Sequence, residues 1–116
     1  MGLHLGEQEE CVRYAYHVQS GEWQRSKTLV RREYRPFAEG GMRVCYRLEE
    51  VDADGFATPM VAKVFKRNVQ AHAKDYFDEC LTQMVAESYA QDFNRTRAGG
   101  RHTVAFLPCV VLQFRS

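Results

Sequence analysis

The feature that most narrows the folds open to this chain is a change of hydrophobic period near residue 75. Ahead of it, short runs rich in branched and aromatic side chains alternate with turn residues. Beyond it, Phe77, Leu81, Val85, Tyr89 and Phe93 recur at every fourth position, and Cys80 and Met84 widen the stripe. Spacing of this kind gathers apolar side chains on one face of a helix. The sequence therefore predicts one helix of about five turns. Asp75 stands at its start as a cap with Asp78 three places on, and the loop NRTRAGGR ends it.

The segments before the helix read as strands. CVRYAYHV, residues 11 to 18, is followed by the turn-like QSGEW, as in a strand entering a hairpin. Lys27 to Tyr34 and Val44 to Val51 fit two more strands, separated by RPFAEGG with its Gly-Gly turn. DADGFATP, residues 52 to 59, reads as a hairpin loop, and MVAKVF, residues 60 to 65, as a short apolar strand. After the helix, Val104 to Phe114 reads as a strongly apolar strand in which Pro108 requires a bulge or an edge. Strands, one helix and a further strand imply an α+β fold, an antiparallel sheet with the helix laid on one face. Residues 1–10 read as a tail and residues 11–116 as one domain.

Composition enters where function is concerned. Hydrophobic residues make up 45% and charged residues 27%, an ordinary globular balance. The formal net charge is only +1, so no whole-molecule field favours nucleic acid or an anionic membrane, and any phosphate binding must be local. The start MGLHLGEQEECVRYAY lacks the basic and apolar regions of a signal peptide, and no run approaches a membrane span, which predicts an intracellular, cytoplasmic protein. Gly2 is followed by Gly6 where myristoylation needs Ser or Thr. Cys11, Cys45, Cys80 and Cys109 lie far apart without zinc-site spacing and read as buried free thiols. His4, His17, His72 and His102 are scattered and read as surface or strand residues.

Two elements have chemical potential. Lys63 sits in the middle of MVAKVF, and a lysine in a buried strand needs an anion, because an uncompensated ammonium in apolar surroundings costs several kcal/mol. The helix downstream offers Asp78 and Glu79, and either carboxylate can serve. The second element is FAEGGMR, residues 37 to 43. Its Gly40 and Gly41 let backbone N–H groups approach a phosphate, and Arg43 at its exit can grip phosphate oxygens through two N–H groups. The HRD and DFG features of conventional kinases are absent, and no Ser/His/Asp or paired-carboxylate arrangement can be read from the chain.

RPFAEGGMRVCYR, MVAKVF and DYFDECLTQMVAESYAQDFNR, in this order, resemble the loop, VAK strand and helix of the alpha-type (atypical) protein serine/threonine kinase family, N-terminal lobe. The resemblance runs from about Cys11 to Arg115. It implies that Lys63 and Arg43 contact ATP phosphates, that Gly40 and Gly41 form the phosphate loop, and that Glu79 orients Lys63. The order Asp78-Glu79 reverses the family's usual Glu-Asp. FLPCVVLQF resembles the strand leading to the adenine-binding hinge, with Gln113 in place of the family's glutamate. The family's catalytic aspartate, magnesium ligands, zinc site and glycine-rich substrate loop lie beyond that hinge. The resemblance thus implies ATP with magnesium, zinc and a protein substrate for a complete kinase, and no turnover by this lobe alone. It also implies self-association, or pairing with a C-terminal lobe, through an apolar edge at Phe106 to Phe114. Two other readings stand beside it. One is a non-catalytic orphan lobe acting as a protein-interaction module. The other is a ligand-free α+β scaffold, whose sign is Lys63 turned to solvent.

Overall fold

The computed structural model describes residues 5–96 and 109–114. Among them lie the strands β1 (Glu9–His17), β2 (Glu22–Arg32), β3 (Ala38–Glu39), β4 (Arg43–Val51), β5 (Ala57–Phe65) and β6 (Val111–Gln113), with the helix α1 (Ala73–Thr96) between β5 and β6. The strand order is β3-β4-β2-β1-β6, and β5 pairs with β4. The α+β architecture read from the sequence is the one observed.

β4 organises the sheet because both of its edges are used. The end of β2 pairs antiparallel with it from Leu29↔Val51 to Arg32↔Leu48, and β3 continues along the same edge at Ala38↔Cys45 and Glu39↔Val44. The other edge carries β5 in an unbroken antiparallel register from Arg43↔Phe65 to Val51↔Ala57. The loop between β4 and β5 fixes that register. The Asp52 carboxylate accepts the N–H groups of Asp54 and Phe56, each at 2.9 Å, while Gly55 takes φ of 86°, a conformation that L side chains resist.

The chain divides into two contact units. Met1–Val12, Lys27–Ala71 and Gln113–Ser116 form the first; Arg13–Ser26 and His72–Leu112 form the second. The first is centred on Cys11, Val30 and Leu48, all buried. Val30 pairs with Glu50, so it shares a sheet face with Leu48. Thr28, on the same face, donates its hydroxyl to the Glu50 carboxylate at 2.8 Å. In the second unit Phe77 of α1 meets the rings of Tyr14 and Trp23 edge-on, at 5.1 and 5.0 Å between centroids, and Cys80 and Ala90 are buried.

Several boundaries and environments differ from the sequence reading. Strand pairing begins ahead of residue 11: Leu5 bridges Glu33, and the Gly6 N–H donates to the Arg32 carbonyl at 2.9 Å. β2 starts at Glu22, and β5 starts at Ala57 and includes Pro59, which an edge strand tolerates. The helix starts at Ala73 rather than Asp75, and the expected cap is reversed in role. Asp75 reaches back to accept the His72 N–H at 2.7 Å, the acid's half of a capping box. The expected apolar stripe holds only in part, because Tyr89 is 72% exposed and Phe93 is also exposed. Of the strand expected over Val104 to Phe114, residues 109–114 are described and only Val111–Gln113 of them form a strand, β6; residues 104–108, with Phe106 and Pro108, lie outside the described residues. Among the described residues no helix is long and apolar enough to cross a membrane.

Candidate functional site

The β4–β5 register builds the site. Arg43 lies opposite Phe65 and Cys45 opposite Lys63. Cross-strand partners point to the same side of a sheet and alternate residues return to it, so Arg43, Cys45 and Arg47 share one face with Phe65, Lys63 and Val61. This is the face opposite Leu48 and Val30. Two strands separated in sequence by the Asp52 loop thus place two cations on one surface. Arg43 and Lys63 are diagonal neighbours, a relation that separates positions by roughly 7–8 Å, which one polyphosphate spans.

Lys63 does not occupy the buried strand that the sequence suggested. It is exposed, on an edge strand whose Val61 and Val64 are 56% and 41% exposed. Its ammonium therefore needs no buried carboxylate. An exposed Lys63 is also what a ligand-free scaffold would show.

The Arg43 guanidinium lies over the Phe65 ring at 3.8 Å from its centroid. The turn leading into Arg43 is closed by the Gly40 N–H donating to the Arg43 carbonyl at 2.9 Å, which leaves Gly41 and Met42 as its central residues. Neither glycine has positive φ, and a Cβ at either would meet nothing within 4 Å. The chain's own packing therefore does not demand glycine at these two positions. The turn is tied to the end of β5 by the Lys66 N–H, which donates to the Met42 carbonyl at 2.9 Å, and by the Lys66 ammonium, 3.7 Å from the Glu39 carboxylate.

Sequence reasoning did not single out Phe65, Lys66 or Arg47. The signal for Phe65 and Arg47 is the two-residue period counted from Lys63 and Arg43; Lys66 falls outside that period. Arg47 stacks over the Phe37 ring at 4.8 Å, pairs with Glu33 at 3.8 Å and receives no candidate role.

The remaining candidates lie elsewhere on the chain. Glu79 is an exposed residue of α1 in the second unit, and its neighbour Asp78 is engaged by Lys74 at 3.1 Å. Gln113 is the exposed last residue of β6, in the first unit, beside Phe114, whose ring carries the Arg32 guanidinium at 4.2 Å. From Cys109 to Phe114 the expected apolar edge is half-buried except at Gln113.

All four cysteines are free. The Cys80 thiol is held far above its usual range by a hydrogen bond with Cys109 and by burial. Burial, with the Glu9 charge adding to it, pushes Cys11 up to about 11. Among the described residues no three His, Cys, Asp or Glu side chains are grouped to hold a metal ion.

The architecture is that of alpha-type kinase catalytic domains. The crystal structure of the alpha-kinase domain of myosin-II heavy chain kinase A in complex with AMP-PNP matches at a TM-score of 0.80 with 20% identity, over 92% of this chain and 53% of that one. The adenosine complex of the same domain matches at 0.79 with 19% identity, over 96% and 54%. The family follows from sequence. The alpha-kinase family model matches residues 38–116. The chain is 30% identical over 105 residues to Alpha-protein kinase 1 of Dictyostelium discoideum, and 30% identical over 93 residues to eukaryotic elongation factor 2 kinase of Mus musculus. These alignments take in 90% and 75% of this chain, but only 8% and 13% of the relatives' lengths. The chain belongs to the alpha-kinase family.

Proposed function

We propose that this chain is the ATP-gripping lobe of an alpha-type protein serine/threonine kinase, and that Lys63 and Arg43 hold the nucleotide's phosphates on the outward face of β4 and β5. The observation that carries this reading is the cross-strand register that puts half-buried Arg43 and exposed Lys63 on one face beside the Gly40-Gly41 turn. The Gly40 N–H is used to close the turn, but a Cβ at Gly40 or Gly41 would meet nothing within 4 Å, so the surface of the turn leaves room for a phosphate. The match to an alpha-kinase domain solved with AMP-PNP supports the choice of ligand.

In this reading Arg43 supplies a planar set of donors and Lys63 a point charge, a combination suited to adjacent phosphate groups. Glu79 orients the lysine, and Gln113 lies at the adenine end. In the whole protein the γ-phosphoryl group passes to a serine or threonine hydroxyl of a protein substrate, with ADP as the leaving group. Among the described residues no donor set fits magnesium or zinc.

Equilibrium binding of ATP and of adenosine to the chain tests the reading. Removing one charge-assisted contact to a phosphate weakens binding by roughly tenfold or more. Lys63→Ala and Arg43→Ala should each lower ATP affinity by about that factor and leave adenosine affinity within about twofold. Unchanged ATP affinity in both variants overturns the assignment.

A further inference from the structure

We infer that Phe65 is a positioning residue for the phosphate site, holding the Arg43 guanidinium at a fixed place and tilt on the β4–β5 face. The inference rests on the nucleotide-binding reading and adds to it a residue that makes no contact with phosphate itself.

Phe65 lies directly opposite Arg43 in the β4–β5 register, so the backbone pairing itself creates the contact. The guanidinium carbon sits 3.8 Å from the ring centroid. A stacked guanidinium meets the ring with its flat face, whereas its N–H groups point outward in its own plane. Stacking thus holds the arginine without covering the edge that a phosphate approaches. A ring contact of this kind restricts the arginine's rotamers before a ligand arrives, so less freedom is lost on binding. Lys63 is on the same face as Phe65, one alternation earlier on β5, so the ring fixes Arg43 relative to the second cation as well.

Lys66 completes the device. Immediately after Phe65, it holds the turn through its N–H on the Met42 carbonyl and its ammonium beside Glu39. The last residue of β5 and the residue that follows it therefore hold the arginine and its turn. Phe65 is half-buried, on a face where Val61 is 56% exposed.

The test measures ATP and adenosine affinity for the chain carrying Phe65→Leu, Phe65→Tyr, Arg43→Ala and the Phe65→Leu/Arg43→Ala pair, with Lys63→Ala alongside. Phe65→Leu should weaken ATP by about fivefold, with adenosine unchanged, and Phe65→Tyr should restore ATP binding. In the Arg43→Ala background, Phe65→Leu should alter ATP affinity by less than about twofold, because nothing remains to be positioned. Equal losses with and without Arg43, or full ATP affinity in Phe65→Leu, overturn the inference. If Phe65→Leu melts below the assay temperature, Phe65→Met replaces it with the same expectations. A loss in Lys63→Ala with none in Phe65→Leu removes only the positioning role. Silence of Lys63→Ala and Arg43→Ala removes the nucleotide reading and this inference together.

Discussion

Leu48→Ala separates what holds the sheet together from what binds ligand, because one strand does both. Leu48 lies in the middle of β4, 3% exposed, opposite Met60 on one side and Arg32 on the other. Its side chain points away from the Arg43 and Lys63 face. Truncating a buried leucine costs about 2–5 kcal/mol, the lost transfer energy plus the cavity left behind. About 3 kcal/mol suits a site near a sheet edge, where neighbours can partly collapse. At roughly 4 °C per kcal/mol for a domain of this size, the melting temperature should fall by about 12 °C. Thermal unfolding followed by circular dichroism measures that fall. ATP binding, measured well below the variant's melting temperature, should stay within about twofold of the parent, since the strand's outward side chains are untouched. A fall of less than about 4 °C would show that Leu48 is not a core residue. A tenfold loss of ATP affinity in folded Leu48→Ala would refute the two-face assignment.

Three further outcomes follow from particular residues. The Cys11 thiol titrates at about 11 in the fold against an ordinary value of 9.0, so its share of stability is full below pH 9 and drains away as pH rises toward 11, at about 1.4 kcal/mol per pH unit; urea titrations between pH 8 and 11 should show a steeper alkaline loss in the parent than in Cys11→Ala. Gly55→Ala, at φ of 86°, should cost about 1 kcal/mol, whereas Gly41→Ala should leave the melting temperature unchanged or slightly raised while weakening ATP binding; paired melting and binding measurements check both. Asp75→Ala removes the acceptor of the His72 N–H and should cost about 1 kcal/mol, read as a lower urea midpoint.

The order of elements was legible because the period of the hydrophobic pattern changes once, at the start of α1. What the pattern misplaced is physical in origin. A run spaced by four residues drifts about 40° per step around a helix of 3.6 residues per turn. By Tyr89 the stripe that began at Phe77 has left the face that buries Cys80, and Tyr89 is exposed. MVAKVF looked like a buried strand because a short apolar run does not say how many neighbours the strand has. Pro59 was the available clue, since it cannot donate to a ladder and belongs at an edge. Lys63, Arg43 and the two glycines were legible one by one from residue type. That Arg43 stands opposite Phe65 was not, because it depends on the length of the loop that joins β4 to β5.

The edge position also changes what Lys63 asks of its surroundings. Reasoning from burial demanded a carboxylate, and Asp78 and Glu79 were candidates because an unpaired ammonium inside a core is too costly to keep. On an exposed edge strand that cost disappears: water solvates the charge until an anion arrives, and Asp78 is already taken by Lys74. No carboxylate is then required to neutralise the lysine. Arg43 has an aromatic partner as well, the Phe65 ring 3.8 Å from its guanidinium. An exposed lysine and an arginine held over an aromatic ring on one strand face make a local cluster of positive charge on a chain whose net charge is only +1.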